Sequence, residues 1–232
     1  QVPRAAFDKL LPDEAPAQGV EIRYEVRVIA ADMSGPTPVV KARDAAGREY
    51  EIAAKFVLDA SGFGRTLPKL LDLEVPSEFP VRGALVTHVA DHIPPGAYDR
   101  NKVQIAVHPD HHDVWYWLIP LAGGRSSVGC AGDKSFLDAR VGDLDSRLRD
   151  LIGEEPFLSQ LLTDVDWDTP VREISGYSAN VRAMHGNGYA LLGNAAEFLD
   201  PVFSSGVTIA MRSASMAAGL LDRQFRGETI DW

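Results

Sequence analysis

The stretch Gly193-Asn194-Ala195-Ala196-Glu197-Phe198-Leu199-Asp200-Pro201-Val202-Phe203-Ser204-Ser205-Gly206-Val207 holds the residue types best suited to retaining a ligand. It leaves an apolar run, Tyr189 to Leu192, through a glycine turn and enters a long segment rich in Ala, Ser and Gly. Asp200-Pro201 interrupts regular structure, because proline lacks an N–H and restrains the residue before it. Ser204 and Ser205 are N-cap types, and Gly206 admits close approach of the backbone to another group. A helix that begins there aims unpaired N–H groups and a partial positive charge into the loop. The chemistry this permits is retention of an electron-rich or anionic group.

Three other clusters bear on chemistry. Phe56-Val57-Leu58-Asp59-Ala60-Ser61-Gly62-Phe63-Gly64 reads as a buried strand entering a glycine turn. Such a turn suits close approach to a phosphate, or it is an ordinary tight turn that Asp59 helps to hold. In Trp115-Tyr116-Trp117-Leu118-Ile119-Pro120, strand periodicity puts Trp115, Trp117 and Ile119 on one face. That face is either an aromatic core stripe or a functional wall. His108, His111 and His112 lie in a proline-containing loop with only Asp110 and Asp113 nearby, so no metal is expected there. No Gly-x-Ser-x-Gly elbow surrounds Ser204 and Ser205, which favours capping over nucleophilic work.

Bulk properties narrow the classes. The chain has 232 residues, 45% hydrophobic and 24% charged, enough for a substantial core. Its formal charge of −10 argues against a nucleic-acid surface and gives no support to an anionic membrane. The single Cys130 cannot form an internal disulfide. No apolar run approaches the roughly 20 residues of a membrane span, and no signal peptide is evident. A soluble cytoplasmic protein is expected. The chain opens on QVPRAAFDKLL without Met and stops just after a helix, so it reads as a piece of a longer protein.

The elements that must position these groups follow from periodicity and turn chemistry. Residues 5–18 read as a short helix disturbed by Pro12 and Pro16 and ended by Gly19. Residues 20–30 alternate as a strand with Val20, Ile22, Tyr24, Val26 and Val28 assigned to one face. A hairpin joins 39–43 to a strand from Arg48 through Asp44-Ala45-Ala46-Gly47. Strand-like segments at 82–90, 102–108, 113–120 and 125–131 predict an antiparallel sheet of their own. Helices are expected over 143–153 and 155–162, a return strand over 170–181, a short strand at 189–192 and a final helix over 204–225.

The motif GNAA-x-x-x-DP-x-FSSG resembles the last flavin-contacting motif of FAD-dependent monooxygenases of the p-hydroxybenzoate hydroxylase fold, in the version of the flavin-dependent halogenases. Asp59-Ala60-Ser61-Gly62 resembles their second FAD motif, and Trp115-x-Trp117-x-Ile119-Pro120 resembles the halogenase pattern W-x-W-x-I-P. The resemblance implies an α/β (α+β) fold, with a partial FAD/NAD(P)-binding layer and an inserted antiparallel substrate-domain sheet. Residues 1–75 would belong to the FAD-binding domain, 76–180 to the substrate domain, and 181–232 would return to the FAD-binding domain. It implies FAD bound near Gly62, Gly193, Asn194, Pro201, Ser204, Ser205 and Gly206. A chloride or bromide ion would be held at the Ser205-Gly206 amides, without an evident carboxylate to repel it. Asn194 stands where the family usually has Asp; it can accept a hydrogen bond but without charge assistance.

The pyrophosphate loop Gly-x-Gly-x-x-Gly is not in the chain, and no Lys here matches the catalytic lysine of halogenases. Both would precede Gln1. The implied activity is halogenation of an electron-rich substrate, small or carrier-bound, with reduced FAD from a flavin reductase, O2 and halide. A flavin-dependent aromatic hydroxylase or related flavin dehydrogenase is the alternative, and a non-catalytic binding domain is a third reading.

Overall fold

The computed structural model describes residues 4–198, 201–202 and 204–232. Helix α1 (Arg4–Glu14) passes into a 3-10 turn over Ala15–Gln18, which Gly19 closes at φ 83°. Strands β1 (Arg27–Asp32), β2 (Val39–Arg43) and β3 (Glu49–Ala53) form an antiparallel sheet, and β4 (Val57–Asp59) follows. Helix α2 (Thr66–Leu70) and strand β5 (Glu74–Val75) precede β6 (Arg82–Ala90), β7 (Gln104–Val107), β8 (Trp115–Pro120) and β9 (Arg125–Asp133). Three helices then follow: α3 (Lys134–Asp138), α4 (Leu144–Glu154) and α5 (Pro156–Leu161). Strands β10 (Arg172–Ser175), β11 (Asn180–Val181), β12 (His185–Gly186) and β13 (Tyr189–Leu191) lead to α6 (Gly206–Phe225). None of the described helices is long and apolar enough to cross a membrane.

Two compact units divide the chain: residues 4–22 with Pro80–Gly176, and Arg23–Phe79 with Tyr177–Trp232. In the first, five antiparallel strands lie in the order β10-β6-β9-β8-β7. One face, carrying Leu85, Val89, Tyr116, Leu118, Val128 and Cys130, packs with Leu148, Leu151, Ile152 and Leu158 of the helices. Each such side chain removed from water contributes about 1.5–3 kcal/mol. The helices start where side chains satisfy their free amides: Asp143 accepts from the Ser146 N–H at 2.8 Å, and Glu155 from that of Leu158 at 2.6 Å. Pro156 occupies the first turn of α5, where its missing N–H costs nothing.

Polar groups inside this unit are arranged as locks. The buried His108 ring accepts the amides of Asp110 and His111 at Nδ1 (3.0 and 3.2 Å) and meets Glu154 through Nε2 at 2.8 Å. Glu154 is in turn held by Arg140. The histidine is therefore a loop anchor. The Cys130 thiol is fully buried, and burial pushes its pKa up to about 12.

The second unit is built on short ladders. Strand β13 pairs parallel to β4 and antiparallel to β12, and β5 pairs with β11. Its core gathers Met33, Val40, Leu67, Leu73, Val181, Tyr189, Leu191 and Ala196.

Several expectations need correction. The strand expected over 20–30 begins only at Arg27, because Glu25 sits at φ 56° and leaves Tyr24 70% exposed. Alternation alone could not reveal that residues 20–26 lack a partner strand. The return strand of 170–181 is two strands, separated at Gly176 (φ 62°), and the first becomes the edge of the five-stranded sheet. Helices α2 and α3, each of five residues, carry too short a period to be read from sequence.

Asp91 provides a pH test. It is 2% exposed, paired with Arg100 at 2.8 Å and hydrogen-bonded by Ser126 at 2.6 Å. Burial pushes its carboxyl up, but Ser126, Arg100 and the Ile93 amide outweigh burial and hold it below the usual value. A lowered folded pKa gives stability that is complete above the unfolded value, near 4, and is lost as pH falls through the folded one. Asp91→Asn should therefore lower the unfolding free energy from urea titration at pH 7 by about 1–3 kcal/mol, and flatten its decline below about pH 5. An unchanged acid slope in the variant would refute this role.

Candidate functional site

Strands β4 and β13 run in the same direction, with Val57 opposite Tyr189, Leu58 opposite Ala190 and Asp59 opposite Leu191. The ladder continues through the Leu192 N–H to the Asp59 carbonyl at 2.8 Å. Both strands thus deliver their loops to one carboxyl end, the place where open α/β sheets keep ligands.

The first loop is shaped by Asp59. Its carboxylate accepts the amides of Ser61 at 2.8 Å and Leu67 at 2.6 Å, tying β4 to α2 as expected of a turn-holding residue. Ser61 Oγ accepts the Thr66 amide at 2.9 Å. Gly62 adopts φ 58°, and among the described residues no atom comes within 4 Å of the Cβ it lacks. The Arg65 guanidinium reaches Glu74 at 2.8 Å and the Asn180 carbonyl at 2.9 Å, so this arginine braces the loop from behind.

The second loop depends on Gly193, at φ 52°, which lies directly on α6. A Cβ there would come within 3.0 Å of Ala210 Cβ. The Gly193 N–H donates to Ser213 Oγ at 3.0 Å, and that hydroxyl donates to the Ala210 carbonyl at 3.0 Å. Residues Gly193–Ala195 then make one 3-10 turn. Ala179 and Phe198 exchange backbone hydrogen bonds at 3.1 Å each, which anchors the far end of the loop.

Helix α6 opens without a side-chain cap. Ser205 occupies the N-cap position but its hydroxyl makes no capping bond, and Ser204 sits at φ 51° with its N–H on the Pro201 carbonyl at 2.9 Å. The expected hydroxyl capping is thus absent at Ser205. The first intrahelical bond runs from the Ile209 N–H to Ser205 O at 2.9 Å, so the amides of Gly206, Val207 and Thr208 have no intrahelical acceptor. A pocket forms here, lined among others by Gly193, Asn194, Glu197, Ser205, Gly206 and Ile209. Among the described residues, a Cβ at Gly206 would meet only Asn194 Oδ1, at 3.9 Å. No close packing among the described residues requires the glycine, and it leaves space at the pocket wall.

The structure therefore brings Gly193, Asn194, Ser205 and Gly206 together in one pocket. Gly62 lies in the neighbouring turn, where the Phe63 ring meets Phe198 edge-on at 5.3 Å, and it does not line that pocket. Pro201 and Ser204 belong to the approach to α6 and are not lining residues either. Leu199, Asp200 and Phe203 fall outside the described residues. The expectation of a lining free of carboxylate does not hold, because Glu197 shares the pocket with Ser205 and Gly206. Sequence reasoning missed Ser213 and Ala210; the small-residue content of the final helix was the only signal for them.

In the other unit, Trp115, Trp117 and Ile119 share one face of β8, as expected, but it is the face away from the helices. The helix-covered core takes Tyr116 and Leu118. The two indoles lie 5.4 Å apart at 45°. Among the described residues, no group of three His, Cys, Asp or Glu side chains could hold a metal ion.

Comparison with known proteins bears on this geometry. The 1H-pyrrole-2-carbonyl-[peptidyl-carrier protein] chlorinase of Pseudomonas fluorescens is 27% identical, over 94% of this chain and 49% of its own length. A crystal structure of a flavoprotein/dehydrogenase from Cytophaga hutchinsonii is 39% identical with a TM-score of 0.91, covering 100% of this chain and 56% of that one. The crystal structure of CmlS, a flavin-dependent halogenase, is 28% identical with a TM-score of 0.85, covering 98% of this chain and 41% of that one. The chain thus spans about half the length of such relatives. The family model for tryptophan halogenases matches residues 1–231. The chain belongs to the tryptophan halogenase family.

Proposed function

We propose that this chain supplies the flavin-ring and substrate portions of an FAD-dependent halogenase acting on an electron-rich organic substrate. The observation that carries the reading is the pocket at the start of α6, where uncapped amides, an amide side chain and a glycine wall converge. These residues fit a flavin: free N–H donors suit the electron-rich edge of the ring, and the missing Cβ at Gly206 leaves room for a flat group. Bound FAD, once reduced, would supply the electrons that activate O2, and O2 would be the source of the oxidising equivalents.

The protein's own residues bind and orient. Asn194 presents a carbonyl acceptor for a flavin hydroxyl, and the Ser205 and Gly206 amides offer donors to a halide. Gly62, Pro201 and Ser204 would hold neighbouring parts of the cofactor. The face of the five-stranded sheet bearing Trp115 and Trp117 would receive the organic substrate and shield it from water. A carrier-bound acyl group is one candidate substrate, since the chlorinase relative is named for such a substrate. A flavin reductase would provide the reduced cofactor, in the cytoplasm. A second reading, a flavoprotein dehydrogenase, is favoured by the 39% identity to the Cytophaga protein.

In the FAD-loaded enzyme, supplied with reduced FAD, O2 and an electron-rich arene, we expect a product whose mass carries chlorine or bromine only when the halide is added. Halide-independent oxidation of the same substrate would hand the assignment to the second reading. Gly206→Val should weaken FAD binding on the order of tenfold or more, while the unfolding free energy changes by less than about 0.5 kcal/mol; unchanged FAD affinity would place the ring elsewhere. Glu197→Gln removes the negative wall of the pocket and should lower the half-saturating halide concentration about two- to tenfold. A higher or unchanged halide requirement would remove the ion from this pocket.

A further inference from the structure

We infer that Gly129 and Ser127 are positioning residues, which lay the Trp117 indole across strand β9, and that this indole, with Trp115, sets which aromatic substrates the sheet face opposite α4 and α5 admits. The substrate clause rests on the reading just proposed; the placement of the indole does not.

The register shows why. Directly opposed residues of an antiparallel ladder point to the same side of the sheet. One row across that face is therefore Ile174, Ala84, Ala131, Trp115 and Val107, and the next is Arg172, Val86, Gly129, Trp117 and Ile105. Opposite each tryptophan, β9 carries a residue with little or no side chain. At Gly129 the requirement is steric: a Cβ there would fall on the six-membered ring of Trp117 and close to the Leu85 carbonyl at 2.5 Å. The indole occupies the space of the missing side chain.

Its rotation about that position is then fixed by a single polar contact. Trp117 Nε1–H donates to Ser127 Oγ at 3.2 Å, two residues along β9 from Gly129. The Trp115 Nε1–H, by contrast, is buried without a hydrogen-bond partner, so packing alone sets that ring. Trp115 is 8% exposed and lies in one row with Ala131 and Ala84, which are buried as well. The flanking Ile105 and Val107 remain 41% and 51% exposed. The Trp117 ring, inclined 45° to that of Trp115, and the half-exposed Ile105 and Val107 form the accessible apolar floor of this face. Standing Trp117 upright would replace that floor with a ridge.

The pair supplies its own spectroscopic signal, because two indoles at 5.4 Å and 45° couple in circular dichroism. The other two tryptophans are occupied elsewhere, Trp167 against Arg149 and Trp232 stacked on Phe56. Trp115→Phe identifies the couplet in the 232-residue chain. Ser127→Ala should then reduce its amplitude by about half or more, and Ser127→Thr, which keeps a hydroxyl, should restore it. Gly129→Ala should abolish it, although that substitution also presses on the neighbouring strand, so Ser127 is the deciding position. In the FAD-loaded enzyme, Ser127→Ala should raise KM for the aromatic substrate about three- to tenfold, with the effect falling on KM rather than kcat. An unchanged couplet in Ser127→Ala overturns the positioning role. A changed couplet with unchanged KM overturns the specificity role. Absence of halide-dependent product from the wild-type enzyme overturns the proposed activity, and with it the substrate clause, while the couplet still decides the placement.

Discussion

The contact between Gly193 and Ala210 sets the geometry of the whole pocket. An L-residue with a side chain would meet two penalties at position 193: the left-handed backbone at φ 52°, costing about 1–2 kcal/mol, and a Cβ pressed against Ala210 at 3.0 Å. Glycine avoids both and lets the β13 loop sit directly on α6. Ser213 then converts proximity into register, since its hydroxyl accepts from the Gly193 amide and donates into the helix backbone. Of the helix's own residues, only Ala217 is buried. The axial position of its amino terminus therefore owes much to this one hinge of small residues.

That constraint explains what could be read from the chain and what could not. The five-stranded sheet was largely legible because its strands alternate cleanly and are cut by Pro94-Pro95-Gly96, Pro109 and Gly123-Gly124. Helices α4 and α5 were legible because Asp143, Glu155 and Pro156 mark their starts. At the site, the composition of residues 193–207 pointed to the start of α6, where a pocket lies. Its internal bracing did not, since Ser213 and Arg65 act across separations of 20 and 115 residues to Gly193 and Asn180, which no local pattern encodes. The face assignment of the Trp115 strand shows the same limit. Alternation placed Trp115, Trp117 and Ile119 together, but which face the helices would cover depended on helices elsewhere in the chain.

The two units solve opposite problems with the same device, absence of a side chain. In the second unit, glycine lets backbone approach backbone, so that strand loops and a helix start converge on one pocket. In the first, Gly129 and Ala131 make way for large rings, so that two indoles fit against the sheet opposite them. Polar anchoring differs accordingly. The second unit ties amides to Asp59, Ser61 and Ser213, whereas the first buries a His108–Glu154–Arg140 chain that holds its loop from the helix side.

The seclusion of Cys130 has a practical side. A thiol with no exposed surface and a pKa near 12 offers almost no thiolate at neutral pH, and the chain has no second cysteine. The folded polypeptide should consequently be silent toward maleimides and mild oxidants. A cysteine engineered at an exposed position would then be a unique address for a fluorophore or spin label, without any prior removal of the native sulfur.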